Sequence, residues 1–183
     1  MQIELKSFLL DPEAPMESEE SMAEHLAHKY GMSLKEAEQQ NARVEQSMRA
    51  LDLPADFAAI RRTNTQPAHR LLQFAKSRDL GKSVYDLIQR GYYAEGALIS
   101  DTETLIGLAA KAGLDPGEAR VALTEPAWAE AVRFDVDEAR RLGIHSVPFF
   151  VFDRAMAVAG AHPAETLLGA LEKAAQYATE DRI

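Results

Sequence analysis

A chain of 183 residues, 46% apolar and 27% charged, has the make-up of one globular domain, or of one domain carrying an insertion. Its net charge of -9 repels phosphate backbones, and Arg61-Arg62 and Arg140-Arg141 are isolated pairs rather than a basic stripe, so nucleic acid is excluded as a partner. There is no cysteine, which excludes disulfides, thiolate metal sites and thiol nucleophiles from the chain as given. No apolar run approaches the roughly 20 residues that span a bilayer. The opening MQIELKSFLLDPEAP lacks the basic start and apolar stretch of a signal peptide. These features predict a cytoplasmic protein with no membrane partner.

Gln2 to Leu10 alternates polar and apolar residues and ends at Asp11-Pro12, which predicts a strand with one buried face. Residues 11–20 are acidic, hold two prolines and read as a solvated loop. Ser21-Met22-Ala23-Glu24 is a capping box that opens a helix closed by Gly31. Ser33-Leu34-Lys35-Glu36 opens a second helix, to about Leu51. Pro67 suits the first turn of a third, in which Ala68, Leu71, Leu72 and Ala75 share a face before Gly81 closes the segment. Further helices are predicted from Lys82 to Ala94, from Asp101 to Gly113, from Asp115-Pro116, and from Pro126 to Leu142.

After Gly143 the period changes. Phe149-Phe150-Val151-Phe152, a turn at Asp153-Arg154 and Ala155 to Ala159 predict a β-hairpin. Gly160 and Pro163 lead into a last helix with Leu167, Leu168, Leu171 and Ala174 on one face. A lone strand and a lone hairpin are unstable apart, so they are expected to meet in one sheet. The result is an α/β layered fold with an embedded helical subdomain.

Gly143-Ile144-His145-Ser146-Val147-Pro148-Phe149-Phe150-Val151-Phe152 resembles the cis-proline loop of thioredoxin-fold proteins. SFLLDPEAP, HKYGMS, NTQPAHRLLQFAKS, AEGALISDTETLIGLA, GLD, RRLGIHSVPFFVFD and VAGAHPAETLL occur in order along the chain. Together they resemble the DsbA family, in its FrnE-like branch, which is related to 2-hydroxychromene-2-carboxylate isomerases and kappa-class glutathione transferases. The resemblance implies a thioredoxin-like sheet, formed by residues 1–17 and 143–183, with residues 18–142 as an inserted helical subdomain and its connecting helix. It also implies a cis Val147-Pro148 bond.

Complete members carry an N-terminal strand, a Cys-x-x-Cys motif and the helix it opens, where the first thiolate is stabilised. This sequence holds no counterpart of them, so no residue is assigned a catalytic role and dithiol exchange is not expected of the chain as given. A late start, a slide of the first segment into the vacated place, or strand exchange in a homodimer would each account for the difference. Three function readings follow: an oxidoreductase lineage without its redox centre, a relative of the glutathione-dependent enzymes, or a non-catalytic binding module.

Within the resemblance, Ser146, Val147 and Pro148 are candidates for docking an extended peptide or a thiol substrate. Weak glutathione binding at the same loop is the second ligand reading. Asn64, His69 and His145 are candidates for lining the groove. Each also has a plain structural reading: Asn64 or Thr65 as a helix cap, and His69 and His145 as ordinary hydrogen-bonded or surface residues. His25 and His28 lie three apart on one helix but have no third ligand nearby, so no metal and no cofactor is expected. Tyr92-Tyr93 and Trp128 read as packing.

Overall fold

The computed structural model describes residues 2–180. It is a mixed α/β structure that falls into two compact units, residues 1–134 and 135–183.

The first unit holds α1 (Met22–Tyr30), α2 (Leu34–Arg49), α3 (Gln66–Lys76), α4 (Gly81–Ala94), α5 (Thr102–Lys111) and α6 (Pro116–Thr124). It also holds most of α7 (Pro126–Arg141). Both expected capping boxes form: Ser21 and Ser33 accept from the N–H of Glu24 and Glu36, whose carboxylates accept from the cap N–H in return. Asp101 and Asp115 cap α5 and α6 from one side only, accepting from the N–H of Thr104 and Glu118 with no reciprocal bond. Asp115 Oδ1 accepts from Glu118 N–H at 2.8 Å. Asp115→Ala should therefore lower stability by about 1 kcal/mol, read as a lower urea midpoint with an unchanged slope.

The core lies among α3 to α6. Ala68, Leu71, Phe74 and Ala75 of α3 meet Val84 and Ile88 of α4, Leu105, Ile106, Leu108 and Ala109 of α5, and Ala119, Ala122 and Leu123 of α6. Burial of one apolar stripe per helix is what makes these short helices stable, since none is long enough to persist alone. Trp128 packs on this cluster, edge-on to Phe74 at 5.6 Å. Between α4 and α5, Gly96 has φ +64°, and a Cβ there would meet Ala59 O at 2.8 Å. Only glycine fits that turn without strain.

The helices α1 and α2 pack chiefly on each other. α1 buries no residue and α2 buries only Ala37. Gly31, at φ 65°, makes the left-handed turn between them.

The second unit holds the end of α7, β1 (Phe149–Phe152), β2 (Met156–Ala159) and α8 (Ala164–Glu180). β1 and β2 are antiparallel, with Phe149 opposite Ala159 and Phe152 opposite Met156. Asp153 and Arg154 both have positive φ, the left-handed pair that turns a tight hairpin. α8 packs on both strands. Its buried face is Ala170 and Ala174 with half-buried Leu167 and Leu171, whereas Leu168, expected on that face, is exposed. The inward spacing is thus i, i+3, i+4, i+7 from Leu167.

The expected opening strand is corrected. Among the described residues the sheet has two strands, and the segment from Gln2 to Leu9 has no ladder. Its anchors are side chains of α3 instead. Lys76 Nζ donates to Leu5 O at 2.9 Å, and Gln73 Nε2 donates to buried Ser7 Oγ at 3.0 Å. Period-2 alternation marks a chain with one covered face; it does not supply the neighbouring strand that a ladder needs.

Candidate functional site

The sequence candidates fall in both units, and each group has its own local construction.

In the second unit, α7 ends in a Schellman motif. Ile144 N–H reaches back to Ala139 O at 2.9 Å, and Gly143 N–H, at φ 70°, to Arg140 O at 3.0 Å. The motif satisfies carbonyls at the helix end and turns the chain, and Ile144 is buried as the accompanying apolar anchor. The next four residues, His145, Ser146, Val147 and Pro148, are all exposed. The Val147-Pro148 bond is cis. Pro148 O accepts from Gly160 N–H at 2.8 Å, one step beyond the Phe149–Ala159 pair, so the hairpin ladder takes up the end of the loop. Among the described residues, no hydrogen bond within the protein engages the backbone of Ser146 or Val147. Those peptide groups, with the 43%-exposed Val147 side chain beside them, are open to an incoming chain.

In the first unit, Asn64 is fully committed. Its Nδ2 donates to Pro12 O at 3.2 Å and to Ala14 O at 3.0 Å, while Oδ1 accepts from Gln66 N–H at 2.9 Å. Its own N–H donates to Pro15 O at 2.8 Å. The residue is a clamp on the loop of residues 11–20 and also serves the start of α3. Thr63 and Ser100 hydroxyls both donate to Met16 O and complete the clamp. Thr65, the N-cap of α3, makes no side-chain cap bond. His69 lies half-buried on the first turn of α3. Arg70 Nη1 donates to Leu123 O at 3.2 Å, at the end of α6, and its Nε is buried without a hydrogen-bond partner among the described residues.

Tyr92 and Tyr93 stack edge-to-face at 5.1 Å, and Phe57 joins Tyr93 at 5.9 Å. Burial pushes the Tyr92 phenol up to about 12 and raises Tyr93 as well, which suits packing and leaves neither ring a base near neutral pH. Among the described residues no group of three or more His, Asp or Glu side chains is arranged to hold a metal ion.

The acidic loop, expected to be solvated, is paired instead. Glu17 pairs with Arg61, Asp11 with Arg62 at 2.8 Å, and Glu20 with both His25 and His28. The signal was present as acids preceding a His-x-x-His helix, and the arginines that complete it lie more than forty residues on.

Among the described residues, the Ser146 hydroxyl is hydrogen-bonded to no base. Residues 1–172 match the DSBA-like thioredoxin domain family. The chain is similar to the probable DsbA oxidoreductase SCO1869 from Streptomyces coelicolor, with 38% identity and a TM-score of 0.87 over 92% of this chain and 73% of that one. It is also similar to the cytosolic disulfide reductase DsbM from Pseudomonas aeruginosa, whose structure contains GSH, at 25% identity and a TM-score of 0.47, covering 70% of this chain and 63% of that one. No curated protein matches it. No described helix is long and apolar enough to cross a membrane. On the family match and the SCO1869 likeness, this chain belongs to the DsbA-like thioredoxin family.

Proposed function

We propose that this chain is a docking module of the FrnE-like DsbA branch, which holds an extended, unfolded peptide at Ser146-Val147-Pro148 and performs no dithiol exchange by itself. The observation that carries the reading is the exposed and unbonded backbone of Ser146 and Val147, next to the paired end of β1. An extended peptide satisfies such groups by adding main-chain hydrogen bonds, and the flanking side chains set preference. Dithiol exchange requires a thiolate that attacks a substrate disulfide and a second thiol that resolves the mixed disulfide. A chain without cysteine supplies neither.

The test has two arms. With dithiothreitol and an oxidised disulfide protein, the rate should equal the rate without this chain. A rate proportional to its concentration would sink the non-catalytic half. For docking, the probe is a reduced and alkylated unfolded protein, whose blocked thiols leave only binding to be read. The amide resonances of Ser146 and Val147 should shift on titration, and Ser146→Pro, which removes one N–H, should weaken the effect. Resonances that stay put at millimolar probe would overturn the docking half.

A further inference from the structure

The α1–α2 hairpin is well formed in itself and thinly attached. Two capping boxes secure its helices, yet α1 buries nothing and α2 buries one alanine. Hydrophobic burial is the main force that fixes a helix to its neighbours, so something else must fix this pair. At the far end the attachment is made by Arg49 Nη2, donating to Ala55 O at 2.9 Å, and by Glu45, accepting from Phe57 N–H. At the near end the attachment is a charged hub around Glu20.

His25 and His28 lie on one face of α1, at the i, i+3 spacing that brings side chains together. Both turn back to the same carboxylate. His25 Nδ1 is 3.3 Å from Glu20 Oε2, and His28 Nδ1 is 2.6 Å from Glu20 Oε1. Arg62 approaches the same carboxylate, with Nη1 at 3.9 Å from Oε2. The Nη2 of Arg62 is held by Asp11 at 2.8 Å. One carboxylate therefore joins α1 to the extended segment that carries Arg62 and Asn64.

We propose that Glu20, His25 and His28 form a latch that proton uptake tightens, fixing the base of the α1–α2 hairpin to Arg62 and the clamped loop. The groups facing the hub are Glu24, His25 and His28 from α1, Glu20 and Asp11 from the loop, Arg62 from the extended segment, and Tyr92 of α4, which stands near Arg62. With both imidazoles neutral, one guanidinium faces three carboxylates. With both protonated, three cations face three anions, and each imidazole hydrogen bond to Glu20 becomes charge-assisted. The hydrogen bond from His28, then that from His25, already favours the ionised form of Glu20 and lowers its pKa, so the anion persists as the imidazoles charge. Imidazole in general is the side chain whose charge changes between pH 5 and 8, so the test spans that range.

Native-state amide exchange on the full chain tests this. After correction for the intrinsic rate at each pH, opening of α1 should be about threefold rarer at pH 6 than at pH 8, the scale of exposed charge pairs. The α3 amides serve as the reference and should show no such change. Glu20→Gln should remove the pH response of α1, and so should His25→Gln with His28→Gln. Both sets lie outside the core, so folding is retained. A native α1 with no pH response would overturn the latch, and so would a response that survives in either variant.

Discussion

Leu71→Ala should cost about 2–5 kcal/mol. Leu71 is 0% exposed and belongs to the buried cluster in which α3 packs against α4, α5 and α6. Truncation removes its transfer free energy and leaves a cavity that four short helices close only in part. Trp128 is the single tryptophan and packs on the same cluster, so its fluorescence in urea reports this unit directly. The control is Val121→Ala at a 61%-exposed position on α6, where the change should stay within about 0.5 kcal/mol. Equal midpoints for the two variants would mean that the core does not lie where α3 places Leu71.

Asn64→Ala should cost about 2–4 kcal/mol, because three partners lose their bonds at once. The carbonyls of Pro12 and Ala14 and the N–H of Gln66 are satisfied by this one amide. Asn64→Asp keeps an acceptor for Gln66 N–H and loses both donors, so its loss should be intermediate. Limited proteolysis should cut residues 11–20 faster in both variants. Docking of the alkylated probe, measured by the Ser146 and Val147 resonances, should be unchanged in either. A variant that keeps full stability but loses docking would restore Asn64 to the groove and remove it from the clamp.

Much of the helical architecture is legible in the chain because its punctuation is local. Ser21, Ser33, Asp101 and Asp115 each sit three residues before the N–H they accept from, so a cap is visible within four letters. The hairpin is legible for the same reason, through a β-rich tetrapeptide and the Asp153-Arg154 turn signal, although the connection closes over three residues, Asp153 to Ala155. What failed was whatever depends on distant partners. The alternation from Gln2 to Leu10 suggested a strand, but the contacts made by Leu5 and Ser7 come from Lys76 and Gln73, sixty or more positions away. Asn64, read as a cap, does accept from Gln66 N–H, but nothing in its neighbourhood names Pro12 and Ala14 as its other partners. Glu20 looked solvated because Arg62 cannot be read from the acidic run itself. The candidate loop at Ser146 to Pro148 was found through family resemblance, and its local logic appears only with the Schellman turn at Gly143 and Ile144.

The Asn64 clamp also has a kinetic meaning. Its bonds to Pro12 and Ala14 span 52 and 50 positions of chain, whereas neighbouring helices of the α3–α6 core follow one another through short connections. Closing a ring of that size costs entropy that grows as the logarithm of its length, and the first return on it is a few hydrogen bonds. Contacts of this kind form late, after the nearer-in-sequence helices have collapsed. The penalty of Asn64→Ala should accordingly fall on the rate at which the chain comes apart, leaving refolding nearly as fast as in the parent.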